Sequence, residues 1–133
     1  MRYVKVTSDG SGGSRFEEVE VGQAETSYTE NTPPVLVSQA IPAAGLAWVT
    51  LPPDVRETGW HPPPRRQFVV ILEGEFELET TDGHKRRFQP GATLLMDDLD
   101  GQGHVTRVLT GGAASFMAIP LAGQRRIGGP QPP

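Results

Sequence analysis

Turn signals rich in glycine and proline interrupt this chain about every ten residues, and this spacing is the feature that most restricts its fold. Between them lie short runs of β-branched and aromatic residues, nearly all too short for helices. Short strands at such regular spacing are typical of an all-β sandwich or barrel. We therefore predict strands over these runs: Tyr3–Val6, Phe16–Val21, Val35–Ile41, Leu46–Leu51, Gln67–Leu72, Glu75–Thr80, Lys85–Phe88, Thr93–Met96, His104–Leu109 and Ala114–Ile119.

Length and composition indicate one domain that needs no disulfide. The 133 residues are 36% hydrophobic and 21% charged, and none is cysteine. A chain of this length buries roughly two-thirds of its unfolded surface, which is enough for a stable core without a disulfide bond or a structural metal ion. We expect a β domain over residues 1–122 and a flexible tail over residues 123–133, with a second flexible segment at Ser8–Ser14.

The net charge of the chain restricts the partners that it can bind. A net charge of −4 is the wrong sign for holding a phosphate backbone, so nucleic acid is not an expected partner. No apolar stretch approaches the roughly 20 residues that span a bilayer, and the first residues lack an apolar signal core. We expect a soluble, cytoplasmic protein without a membrane partner.

Apolar residues alternate in the predicted strands. Phe76 and Leu78 fall between three glutamates, which indicates one dry and one wet face. The run at 68–72 is apolar on both faces. In the strand that contains it, we predict that Gln67, Val69 and Ile71 point inward while Phe68, Val70 and Leu72 point outward. An outward apolar strip is unusual on a monomer, so we also expect a homodimer.

Histidines supply most of the candidate chemistry. His84 lies in a hairpin turn beside a basic cluster, and we interpret it as solvated. His61 and His104 each stand at a strand end within a turn rich in glycine or proline. An acidic turn with Asp97, Asp98 and Asp100 precedes His104, and we interpret its carboxylates as solvated.

The two segments that hold these histidines resemble the motifs of the cupin family. Residues 59–74 begin and end with glycine and contain His61 and Gln67, with six residues between Gln67 and Gly74. Residues 83–104 contain the Pro90-Gly91 turn and end on His104. The resemblance implies a small single-domain cupin, a double-stranded β-helix or jelly-roll barrel.

The resemblance also implies a site, although the sequence departs from the usual metal ligands of the family. The first motif normally supplies two histidines and a glutamate, and the second motif supplies one histidine. Here Pro63 stands at the second histidine position and Gln67 at the glutamate position, which leaves His61, Gln67 and His104. Two imidazoles and a neutral amide form a poor set for a divalent ion. The expected cofactor is therefore either none or a weakly held iron, manganese, nickel or zinc ion.

Acid–base chemistry is the alternative to a metal. An imidazole titrates near neutral pH, so His61 and His104 are candidate catalytic residues that exchange protons with a ligand, and Gln67 would orient a carbonyl group. The opposing interpretation is structural: each histidine bonds a neighbour and has no other role. The candidate ligand-binding residues are Trp60, Arg65, Val69 and Ile71.

Two functions remain open from the sequence. The first is a small cupin enzyme that binds an organic metabolite inside the barrel, as an isomerase, cyclase, lyase or oxygenase. The second is a binding or sensor module without catalysis, which the loss of two metal-ligand positions favours. Trp48 and Trp60 are the largest apolar side chains, and we expect them to pack in the core or at the cavity.

Overall fold

The strands begin and end close to the turn signals. The computed structural model describes residues 1–27 and 29–123, and it contains no helix within them. The strands of this part of the chain are β1 (Arg2–Ser8), β2 (Ser14–Glu20), β3 (Ala24–Thr26), β4 (Val35–Val37), β5 (Ala47–Leu51), β6 (Gln67–Glu73), β7 (Phe76–Glu79), β8 (Lys85–Phe88), β9 (Thr93–Asp97), β10 (Val105–Val108) and β11 (Ala114–Pro120).

The prediction of an all-β fold is confirmed, and every predicted run overlaps a strand. Strand β3 was not among the predicted runs, because its three residues include no large apolar side chain; it pairs with β4. All but the first residue of the expected tail at residues 123–133 lie outside the described residues. Among those that are described, none forms a helix long and apolar enough to cross a membrane.

The strands form three separate sheets. A six-stranded sheet has the order β2-β1-β9-β6-β11-β5, a three-stranded sheet has the order β10-β7-β8, and β3 pairs with β4. All pairings are antiparallel except the one between β1 and β9.

The expected closed barrel is not formed by these ladders. Residues 52–66 run beside β10 and the preceding His104, with isolated bridges at Glu57↔Arg107 and His61↔His104 but no continuous ladder. Prolines at 52–53 and 62–64 lack N–H donors, so this segment does not make a continuous strand.

The core lies between the two larger sheets. Strands of the six-stranded sheet contribute Val6, Val69, Ile71, Leu94, Met96 and Ala114, and the three-stranded sheet contributes Phe76, Leu78, Phe88 and Val108. Full burial of a large apolar side chain stabilises a fold by roughly 1.5–3 kcal/mol. This apolar layer holds the inward faces of β6, β7 and β9 in place.

The opposite face of the six-stranded sheet is also apolar. Trp48, Met117 and Val70 are cross-strand neighbours on β5, β11 and β6. Trp48 is 74% exposed and Leu72 is 43% exposed. The expectation that Trp48 packs in the core or at the cavity is therefore wrong.

The segment predicted to be a flexible loop is a defined turn between β1 and β2. The Asp9 carboxylate accepts hydrogen bonds from the Ser11 N–H, the Ser11 hydroxyl and the Gly13 N–H, at 2.8, 2.9 and 3.0 Å. These bonds, with that from the Ser11 N–H foremost, lower the pKa of Asp9 below its ordinary value. The turn then packs against the loop that leads to His104, because the Gln102 N–H donates to the Gly12 carbonyl at 3.0 Å.

Candidate functional site

A cavity of about 200 Å³ opens between the two larger sheets. Its polar lining consists of Thr58, His61, Gln67, His104 and Thr106. Thr58 is exposed whereas His104 is buried, so the cavity runs from a mouth near residue 58 into the core. The two histidines singled out by the sequence therefore share one cavity.

Strand β6 supplies one wall. Gln67, Val69 and Ile71 all line the cavity, since side chains at alternate positions of a strand share a face. Val69 and Ile71 are buried, whereas Gln67 is half-buried. The inward direction predicted from the alternation agrees with this arrangement.

His61 and His104 are joined through their backbones. The N–H of each residue donates to the carbonyl oxygen of the other at 3.0 Å. Their imidazole rings lie with centroids 4.8 Å apart and planes inclined at 52°. The bridge thus places two ionisable rings side by side at the cavity wall.

Glycine at position 103 allows this close approach. Gly103 has a φ of 73°, and a Cβ at this position would overlap the carbonyl group of His61. The Ser14 hydroxyl donates to the Gly103 carbonyl at 2.6 Å, and Ser14 is fully buried. The backbone before His104 is therefore held from both sides.

Asp98 completes the site, and the interpretation of this residue as solvated is wrong. Its side chain is fully buried, and its Oδ2 lies 2.6 Å from Nδ1 of His104. The other carboxylate oxygen, Oδ1, is buried without a hydrogen-bond partner among the described residues. The available signal was the alternation of Leu94, Met96 and Asp98, which extends the inward face of β9 beyond the end of the strand.

Hydrogen bonds select the same tautomer for both rings. The Asp98 carboxylate accepts the Nδ1–H of His104. His61 Nδ1 lies 2.9 Å from the Gly59 carbonyl oxygen, which only accepts, so this nitrogen also carries a proton. Each neutral ring then has its lone pair on Nε2, the nitrogen suited to bind a proton or a ligand.

Two predicted ligand-binding residues do not line the cavity. Trp60 is 48% exposed, and Arg65 is half-buried outside the lining. The neighbouring Arg66 pairs with Asp97 at 2.9 Å on the outer side of the sheet. His84 is exposed and pairs with Asp82 at 2.9 Å.

The donor set does not fit a tightly held transition metal. Within residues 1–27 and 29–123, no three His, Cys, Asp or Glu side chains are grouped so that they could hold a metal ion. The cavity offers two imidazoles and the Gln67 amide, which carries no charge. Asp98 is engaged with Nδ1 of His104 behind the ring, where it orients the imidazole.

No protein-family model and no curated protein matches the sequence. The structure is similar to the crystal structure of protein NMB1881 from Neisseria meningitidis. The match has a TM-score of 0.44 and 19% sequence identity, and it covers 58% of this chain and 72% of that chain.

Proposed function

We propose that this chain is a small cupin-type protein with a jelly-roll β fold, which binds a small organic molecule in the cavity and catalyses proton transfer on it. One observation carries the proposal: the buried pair of Asp98 and His104 stands at the cavity wall beside His61, with ring centroids 4.8 Å apart. An acid and a base at one wall are what an isomerase, a cyclase or a lyase requires.

His104 acts as the base. Asp98 accepts its Nδ1–H, so the Nε2 lone pair takes a proton from the ligand, and the adjacent carboxylate stabilises the imidazolium that forms. The orientation of the ring does not change during this step, because the carboxylate and the ring are both buried.

His61 acts as the acid in its protonated form. For a ketone, His104 removes a proton from the α-carbon while His61 gives its Nε2 proton to the carbonyl oxygen, so an enol forms and one proton has passed through each ring. The Gln67 amide donates to the same oxygen and orients it. A divalent metal would bind weakly to His61, Gln67 and His104, and no step of this reaction requires it.

A second candidate is a binding module without catalysis. The neutral amide of Gln67 favours this second function, because a carboxylate at position 67 would be needed to complete the metal-ligand set with the two histidines. Ligand binding without proton exchange would identify this function.

We further propose a homodimer formed through the outer face of the six-stranded sheet. Trp48, Met117 and Val70 form an apolar row there, and 74% of the Trp48 surface is exposed. Exposed apolar patches of this kind mark interaction surfaces.

The catalytic proposal is tested with acetophenone in D₂O, following deuterium exchange into its methyl group by proton NMR. The protein should accelerate exchange, and His104→Ala should reduce the acceleration by about 10²-fold or more, the usual size of a general-base contribution. His84→Ala is the matched control, since His84 also pairs with a carboxylate through Nδ1 but is exposed. Exchange that survives His104→Ala, or none above buffer, would contradict the proposal.

A further inference from the structure

We infer that the cavity selects an uncharged, mainly apolar molecule with a single polar head group, such as a ketone or an alcohol, and rejects carboxylates and phosphates. The inference rests on the proposed function, because it concerns the ligand of the same cavity. It adds the chemical class of that ligand.

The first support is the charge of the lining. Among the described residues, no Lys, Arg, Asp or Glu side chain lines the cavity. Burying an anion without a paired cation is strongly unfavourable. When His61 is neutral, no charge on the described lining compensates a carboxylate for its lost water, and only the protonated His61 of the proposed reaction would do so.

The second support is the charge behind the lining. Asp98 lies 2.6 Å from His104 on the side away from the cavity. When His104 is neutral, the pair carries a negative charge, and when His104 is protonated, the pair is neutral. Neither state presents net positive charge to a ligand, so His104 does not act as a counterion for an anion.

The third support is the separation of polar and apolar lining along β6. Gln67 stands at the start of the strand and Ile71 lies four residues further, about 13 Å along a strand. Phe116 pairs with Ile71 and makes an edge-to-face contact with Phe76, at 6.0 Å between ring centroids. An apolar body therefore lies against the Ile71 end, and a single polar head lies near Gln67.

Cavity size limits the ligand. The volume of about 200 Å³ is below the roughly 300–1,000 Å³ typical of sites for drug-sized molecules. A molecule the size of a substituted benzene ring fits this space, whereas a nucleotide or a sugar phosphate does not.

The test compares three probes that share a phenyl body: acetophenone, 1-phenylethanol and benzoate. Dissociation constants are measured by calorimetry at pH 8, where benzoate is fully ionised. The two neutral probes should bind at least tenfold more tightly than benzoate. Transferred nuclear Overhauser effects should connect the phenyl protons with Phe76 and Phe116, and the head group with the imidazole protons.

A variant should reverse the preference. Gln67→Lys places a cation in the cavity and should tighten benzoate at least tenfold relative to 1-phenylethanol. Gln89→Lys makes the same change of net charge at an exposed turn and should leave the ratio unaltered. If Gln67→Lys does not fold, the affinities of the three probes for the unmodified protein still test whether the cavity prefers uncharged ligands.

The outcomes separate the two proposals. Neutral probes that bind in the cavity without α-proton exchange would support the inference and overturn the catalytic function. Benzoate that binds as tightly as the neutral probes would overturn the inference, whatever the exchange experiment gives. Failure of all three probes to bind at millimolar concentration would also overturn it.

Discussion

His104 Nδ1 lies 2.6 Å from Asp98 Oδ2, and the two side chains are 4% and 0% exposed. A short bond between a ring and a carboxylate out of contact with water fixes the ring in one tautomer and one direction. The same bond makes the pair important for stability, because either partner alone would leave a buried polar group unsatisfied.

Asp98→Ala should lower the free energy of unfolding by about 1–3 kcal/mol, because it leaves the buried Nδ1–H of His104 without its hydrogen-bond acceptor. Asp98→Asn keeps the volume and one hydrogen bond, so its effect should be smaller, while proton exchange should still fall because the carboxylate no longer stabilises the imidazolium. Denaturant unfolding and the acetophenone exchange rate measure the two effects.

Asp97→Asn is the matched control for these variants. Asp97 pairs with Lys5 and Arg66 at the outer surface, where ion pairs contribute roughly 0–1 kcal/mol. Equal losses of stability in Asp97→Asn and Asp98→Ala would argue against the special role of the buried pair.

Gly103→Ala should destabilise the protein by more than about 2 kcal/mol, since it adds backbone strain at positive φ to an overlap with the His61 carbonyl. Gly111→Ala should change stability by less than about 0.5 kcal/mol, because a Cβ there meets no atom within 4 Å. Chemical denaturation compares the two variants. A Gly103→Ala protein as stable as the unmodified one would show that the bridge tolerates a side chain.

Gln67→Glu should convert the weak metal set into a stronger one. The unmodified protein should retain much less than one equivalent of iron, manganese, nickel or zinc after dialysis. The added carboxylate supplies the missing charge and should raise the affinity for zinc at least tenfold. Elemental analysis and zinc titration measure both values, with Gln89→Glu as a surface control. Stoichiometric metal that survives dialysis of the unmodified protein would refute the weak-site prediction.

The outer apolar row predicts the oligomeric state. At micromolar concentration the protein should sediment as a dimer, and Trp48→Glu should give the 14.4 kDa monomer because it buries a charge in the interface. Leu36→Glu is a control, since Leu36 is 62% exposed on the separate two-stranded sheet. An unmodified protein that sediments as a monomer would remove the dimer without affecting the cavity.

Much of the architecture follows from local rules that a sequence records directly. Turn residues set the strand ends, and alternation assigns Gln67, Val69 and Ile71 to one face, because a strand has a period of two whatever its neighbours are. The same rule applied beyond β9 would have assigned Asp98 to the interior. Its acidic side chain and its two acidic neighbours instead favoured a solvated turn.

By itself, then, the sequence determined the all-β class and the spacing of the strands, and it singled out the two histidines that line the cavity. Only the tertiary structure decided that β5 and β10 stay in separate sheets, that both tryptophans are exposed, and that Asp98 lies buried against His104. The physical reason is that these features depend on which distant segments meet. The bridge between His61 and His104 forms because Gly103 permits a close backbone approach, and that approach then directs both rings into one cavity.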